Sequence, residues 1–188
     1  MGNDKEIRVA IYIDGSNLYH KLKDLKIEKT TEFNYLGLCN LLARKRVVVS
    51  YRYYVGAVRA RVGDSLSQSK RYGQQKLFNH LENQGFRVKQ GYLMESGGIF
   101  HEKGVDVKIA VDLLVGAYDN LYDVAILISS DTDLIPAIKK IKHLGKELEY
   151  IGFSHSPSFA LQKNAKLSRL LLRDDLEEFI KKDLPVGF

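Results

Sequence analysis

Hydrophobic and polar positions in this chain change period repeatedly, from alternation to helical spacing and back. Residues 6–13 read as a buried strand with Val9, Ile11 and Ile13 on one face and Ala10 and Tyr12 on the other. The turn formers Asp14-Gly15-Ser16-Asn17 close it, and helical spacing follows over 18–25. A second helix is predicted over 32–43, with Thr31 as its N-cap. The Val- and Tyr-rich stretch 46–58 reads as a long strand, 59–64 as a loop, and 65–83 as a helix ended by Gly85. A third strand is predicted over 86–94, then a Gly-rich loop at Ser96-Gly97-Gly98 leading into a helix over 105–118. A fourth strand over 123–129, a helix over 133–144 and a fifth strand over 148–153 follow. From 158 to 188 the pattern gives a short helix, a short strand near 168–172 and a terminal helix.

Strands alternating with helices, with continuous apolar runs in the first and fourth strands, predict an α/β fold. Its sheet is mainly parallel and covered on both faces. There is no internal repeat, low-complexity tract or linker, so residues 1–188 are read as one domain, with a core over about 7–153 and an extension over 154–188.

Composition narrows the class. Hydrophobic residues make up 45% of the 188 and charged residues 28%, with three prolines, which is the balance of a globular chain. The longest apolar runs, such as 124–128, are far below the ~20 residues of a membrane span. The polar start Met1-Gly2-Asn3-Asp4-Lys5-Glu6 shows no secretory signal, so a cytoplasmic protein with no membrane segment is expected. A single cysteine, Cys39, excludes an intrachain disulfide and a cysteine-based zinc cluster. The net charge of +6 favours an anionic partner.

The chemistry lies in the acids. Ligands of open α/β sheets bind beyond the carboxyl ends of the strands, where strand order reverses. Asp14 directly follows the first strand, and Asp131 and Asp133 follow the fourth in Ser129-Ser130-Asp131-Thr132-Asp133. If those strands are neighbours, the three carboxylates converge. Asp106 starts the apolar stripe Ile109, Ala110, Leu113 and Ala117, and so should face the sheet. Each cluster also has an ordinary reading: a turn at Asp14, a helix cap at Ser130 or Asp131, first-turn acids at Asp106 and Asp133. All of them fall at one sheet edge, which favours a shared site. Carboxylates gathered there repel one another unless a cation neutralises them, and an all-oxygen set without His or Cys suits Mg²⁺ or Mn²⁺.

These residues resemble the NYN family, the PIN-like nuclease domains that include LabA-like bacterial proteins. The resemblance lies in Asp14-Gly15-Ser16-Asn17, in Lys103-Gly104-Val105-Asp106 leading into Val111-Asp112-Leu113-Leu114, and in Ser129-Ser130-Asp131-Thr132-Asp133, over roughly 7–153. Ser130 stands where the family often has Gly. The resemblance implies a three-layer α/β/α, PIN-like (Rossmann-like) fold and Mg²⁺- or Mn²⁺-dependent cleavage of single-stranded or structured RNA. Asp14 and Asp131 would hold the metal directly. Asp106 and Asp133 would hold it directly or through water and orient the attacking water. Asn17 would hydrogen-bond within the site or to substrate, Ser130 would meet substrate, and Lys103 would be placed to meet a phosphate.

Arg59, Arg61, Arg71 and Tyr72, with Lys70 beside them, add candidate RNA contacts, cations on phosphates and Tyr72 on a base; their ordinary reading is a solvated loop and helix face. Asp112 lies six residues past Asp106, about 240° around a helix, and is read as a surface acid or an ion-pair partner outside that pocket. The amphipathic stretch 174–182 docks on its own domain or on a second subunit, which leaves a homodimer open. The alternative function is a non-catalytic RNA- or protein-binding module that keeps the acidic site. A haloacid-dehalogenase-type phosphatase wants Asp-x-Asp after the first strand, where this chain has Ser16, and a P-loop is absent.

Overall fold

The computed structural model describes residues 6–57, 63–96 and 99–180, with side chains described throughout these except over 95–102. The strands are β1 (Arg8–Asp14), β2 (Val47–Val55), β3 (Arg87–Gln90), β4 (Tyr92–Ser96), β5 (Ile99–Lys103), β6 (Val124–Ile128), β7 (Glu147–Phe153) and β8 (Leu167–Leu171). Among the described residues, six of them form one sheet in the order β3-β2-β1-β6-β7-β8. Every neighbouring pair in it is parallel. Separate from it, β4 and β5 pair antiparallel.

Period-two alternation assigns the two faces. Val9, Ile11 and Ile13 of β1 pack with Ile126 and Ile128 of β6 against α1 (Gly15–Asp24), α2 (Tyr35–Ala43) and α3 (Ser65–Asn83). Ala10, Tyr12, Tyr54, Ala125 and Leu127 take the other face, under α4 (Val105–Tyr118), α5 (Ile135–His143) and α6 (Phe159–Asn164). The short α7 (Asp174–Glu177) docks Leu176 into the first of these cores, with Phe179 beside it. The result is the three-layer α/β/α fold.

Ion pairs fasten the amino-terminal rim of the sheet. Arg8 at the start of β1 forks onto Asp123, just ahead of β6, at 2.9 and 3.1 Å. Arg46 donates to Glu149 at 2.6 and 2.8 Å and to the Ala43 carbonyl at the end of α2.

Several elements differ from the sequence expectation. The helix after Asp14 begins at once, because the Asp14 carboxylate accepts from the Asn17 N–H and caps it. The second helix is split: Thr30–Glu32 is a 3₁₀ turn, and Asn34, not Thr31, caps α2 by accepting from the Gly37 N–H at 2.8 Å. Residues 86–94 are two strands rather than one. The Gly91 N–H makes a last bond to the Val55 carbonyl, and beyond it β4 leaves the sheet to pair with β5, so a strand rather than a loop leads into α4. The helix expected over 133–144 begins with a 3₁₀ turn, Thr132–Leu134, ahead of α5. The terminal helix is the single turn α7, and 181–188 lie outside the described residues.

Candidate active site

Strand order reverses between β1 and β6: β2 and β3 lie to one side of the pair, β7 and β8 to the other. This switch point is where an open sheet presents a crevice beyond its carboxyl ends. Asp14 ends β1 there and is 5% exposed. Its Oδ1 accepts from the Asn17 N–H at 3.0 Å, and its Oδ2 accepts from the Ser129 hydroxyl at 3.0 Å. Ser129 in turn accepts from the Asp131 N–H at 3.1 Å, and Asp131 accepts from the Asp133 N–H at 2.8 Å. One hydroxyl therefore ties the first and last acidic motifs together across the two strands.

The parallel register explains the juxtaposition. Ile13 pairs with Ile128, so the residues one step beyond, Asp14 and Ser129, meet side by side on the α4/α5 face. Gly15 is required by the same geometry. A Cβ there would lie 2.2 Å from the buried Tyr53 ring and 2.7 Å from the Tyr54 carbonyl oxygen. Gly15→Ala is expected to lower stability by about 1–3 kcal/mol and to displace the Asp14 cap, read as a drop in the thermal midpoint; an unchanged midpoint would show that the ring yields freely.

Burial pushes the Asp14 carboxyl above the usual carboxylate range, and the neighbouring Asp131 charge adds to the rise, against opposing bonds from Asn17 and Ser129. The dominant cause is desolvation. A cation at this edge would remove that penalty. The donor set fits one: two adjacent carboxylates are the usual protein complement for Mg²⁺, which keeps several waters and takes the rest from phosphate. Ser130 Oγ, between Ser129 and Asp131, is buried with no hydrogen-bond partner, a polar atom that a ligand or its water would satisfy.

The remaining acids lie in the first turns that follow β5 and β6. Asp106 is half-buried in the first turn of α4, after Gly104, whose φ of +86° lets the chain turn from β5 into the helix. Asp133 is exposed in the turn before α5. Among the described residues, no group of three or more His, Cys, Asp or Glu side chains is arranged to hold a metal ion. The structure therefore joins Asp14 to Asp131 and leaves Asp106 and Asp133 on adjoining turns.

The family model of the NYN domain matches residues 8–170. The chain belongs to the NYN domain family. NYN domains are typically nucleases. A curated relative, an uncharacterized protein of Methanocaldococcus jannaschii, is 29% identical over 160 residues, which is 85% of this chain. The chain spans about half the length of that relative, 53%. A solved structure of a protein of unknown function from Vibrio parahaemolyticus shares the fold, with a TM-score of 0.70 and 24% identity, over 94% of this chain and 99% of that one.

Within the NYN domain, the other sequence candidates are distributed around this edge. Asn17 is half-buried and contributes its backbone N–H to Asp14. Lys103 is exposed at the end of β5. Arg71 and Tyr72 are exposed on α3 and line a shallow depression of about 470 Å³ with Gln68 and Gln75. One turn later, Gln74 Nε2 donates to the Gly56 carbonyl just past β2, which places Arg71 and Tyr72 beyond the carboxyl end of that strand. Arg59 and Arg61 lie outside the described residues. Asp112 proves to be an ion-pair partner, as one of its two sequence readings had it. It receives the Tyr54 hydroxyl at 2.6 Å, Lys89 Nζ at 2.6 and 2.8 Å, and Arg52 at 3.4 Å. Sequence reasoning missed Ser129 as the bridge, although its place in the last motif, next to Asp14 once the two strands pair, was available. No helix among the described residues is long and apolar enough to cross a membrane.

Proposed function

We propose that this NYN domain is a divalent-metal-dependent ribonuclease that hydrolyses RNA phosphodiester bonds at the β1/β6 switch point. The observation that carries the reading is the buried Asp14 carboxylate, linked through Ser129 to Asp131 at the place where an α/β sheet binds ligands. Bound Mg²⁺ or Mn²⁺ supplies Lewis-acid charge to a phosphate oxygen and makes an attacking water more acidic. Asp14 and Asp131 would hold the ion, with Asn17 and Ser129 fixing the Asp14 carboxylate in position. Asp106 and Asp133 would act through water on the ion or the nucleophile. Ser130 would donate its free hydroxyl to substrate, Lys103 would meet a phosphate, and Arg71 and Tyr72 would engage the RNA further along, as would Arg59 and Arg61. The net charge of +6 suits a polyanionic substrate.

The test is incubation with single-stranded and structured RNA in Mg²⁺, in Mn²⁺ and in EDTA. Cleavage that needs the cation and stops with EDTA is the expected result. RNA bound but uncut under every cation condition would overturn hydrolysis and favour the alternative, a binding module that retains the acidic edge. That alternative has one observation on its side, the lack of a preformed cluster of three acids among the described residues.

A pH dependence follows from Asp14. Its carboxyl is raised in the fold, so its neutral form is the stabilising one, fully present below the unfolded value and lost as pH climbs through the folded value. In EDTA the melting temperature of the wild type should therefore fall, relative to Asp14→Asn, as pH rises through the window just above the ordinary carboxylate range. Added Mn²⁺ should cancel the fall by binding the ionised form. Parallel curves for the two proteins would show that Asp14 is not held neutral.

A further inference from the structure

The row of side chains that includes Asp14 continues along the same face of the sheet. Asp14 is the register partner of Tyr54 on β2, and Tyr54 of Lys89 on β3. Two strand spacings of ~4.8 Å put the Lys89 backbone about 10 Å from that of Asp14. Above Lys89 opens a cleft of about 390 Å³, lined by Lys89, Val107, Lys108, Val111 and Asp112. That volume is in the range of small-molecule sites.

Its lining has two halves. One is apolar: Val107 and Val111, one helical turn apart on α4, are 65% and 49% exposed. The other is cationic. Asp112 is matched by Lys89 and Arg52, two positive charges against one negative. Lys108 adds another, its ammonium donating to a neutral acceptor, the Gln90 carbonyl. The lining thus holds two lysines and one carboxylate, and the buried Arg52 shares the charge of that carboxylate. A ligand complementary to it carries a flat, weakly polar face for the valines and an anion for the lysines. A nucleotide has both.

We propose that this cleft is a nucleotide subsite, in which a base lies against Val107 and Val111 while its phosphate meets Lys108 and Lys89. Asp112 is a positioning residue that fixes Lys89. The subsite rests on the ribonuclease reading in one respect: it would hold a nucleotide that flanks the bond cut at Asp14. A protein partner fits less well, because the lysines would need acids opposite them, whereas RNA brings phosphates to every position.

The test uses the full chain and a fluorescein-labelled single-stranded oligouridylate in EDTA, with anisotropy titrations at several salt concentrations. Lys108→Gln should weaken binding roughly three- to tenfold and reduce the magnitude of the salt slope by about 0.7, the value of one lost phosphate contact on a single strand. Val111→Asp should weaken it at least as much. Lys45→Gln, an exposed lysine at the opposite rim, should leave affinity unchanged. Both cleft residues are exposed side chains on a helix surface, so folding is checked by an unchanged thermal midpoint. Wild-type affinity and slope in both cleft variants would overturn the subsite while leaving cation-dependent cleavage to stand. If Val111→Asp instead changes the mass in light scattering with affinity intact, the valines belong to an interface between copies and the subsite falls. Loss of binding in the variants of a protein that never cuts RNA would keep the subsite and remove the ribonuclease reading. A wild type that binds no RNA in EDTA removes the subsite, while cleavage in Mg²⁺ or Mn²⁺ decides the ribonuclease reading separately.

Discussion

Asp14→Asn and Asp131→Asn are each expected to lower the RNA cleavage rate by about a thousandfold, the rate equivalent of roughly 4 kcal/mol of lost transition-state charge stabilisation. Both substitutions are nearly isosteric. In Asp14→Asn the new amide oxygen can still accept from the Asn17 N–H and cap α1, and in Asp131→Asn it can still accept from the Asp133 N–H. A rate loss is then attributable to charge rather than to a broken cap. Asp14→Asn should also raise the metal-free melting temperature by about 2–4 °C, the equivalent of roughly 1 kcal/mol in a chain of this size, because it removes a buried charge that lacks its cation. A variant that is more stable yet inactive is the expected trade-off at a functional carboxylate. Undiminished cleavage in both variants would end the assignment of these residues. A melting temperature lowered by Asp14→Asn would mean that the carboxylate is satisfied without a metal.

The largest stability effect is expected at Asp112. Its carboxylate, 14% exposed, holds the Tyr54 hydroxyl, Lys89 and the 11%-exposed side chain of Arg52. Arg52 also lies over the Tyr12 ring, 5.4 Å from its centre. Asp112→Ala leaves a buried guanidinium and a buried phenol without their acceptor, and breaking a buried pair from one side costs about 3–5 kcal/mol. Urea unfolding should show that loss as a lower midpoint with an unchanged slope. Burial alone would raise the Asp112 carboxyl, but bonds from Lys89 and Tyr54 and the charges of Lys89 and Arg52 outweigh it, so its value is lowered. Its stabilisation is therefore present above the ordinary carboxylate range and lost as pH falls through the depressed folded value. Asp112→Ala should flatten that acid-side loss. A variant within about 0.5 kcal/mol of wild type would show that the three partners find water instead.

Most of the architecture was legible because periodicity carries it. The continuous apolar runs of β1 and β6 marked strands buried on both faces, and Asp14 and Asp131 were readable because they sit one and three residues past such a run. What could not be read depends on pairing. Nothing in the local sequence of Lys89 says that its strand lies beside β2 or that α4 crosses above it, so the Lys89–Asp112–Arg52 cluster was invisible until strand order was known. The hairpin was missed for a different reason. Phe86 and Val88 and the apolar run Tyr92-Leu93-Met94 read as one strand across Gln90-Gly91, and only the departure of β4 after Gly91 separates the in-sheet strand from the hairpin strand. The Gly97-Gly98 pair is a hairpin signal, but a Gly-rich stretch before a helix reads equally well as a loop. The second helix was read as starting too early because Thr31 is a good cap residue by type, whereas Asn34 is the residue whose side chain accepts from the helix N-terminus.

The ion pairs of Arg8 with Asp123 and of Arg46 with Glu149 gather at one rim of the sheet, while Asp14, Ser129 and Asp131 gather at the other. Anchorage and chemistry are thereby kept at opposite ends of the same strands. Mutational drift at the carboxyl ends can retune or extinguish activity without unfastening the clamps, so this scaffold is well placed to evolve new specificities while remaining folded.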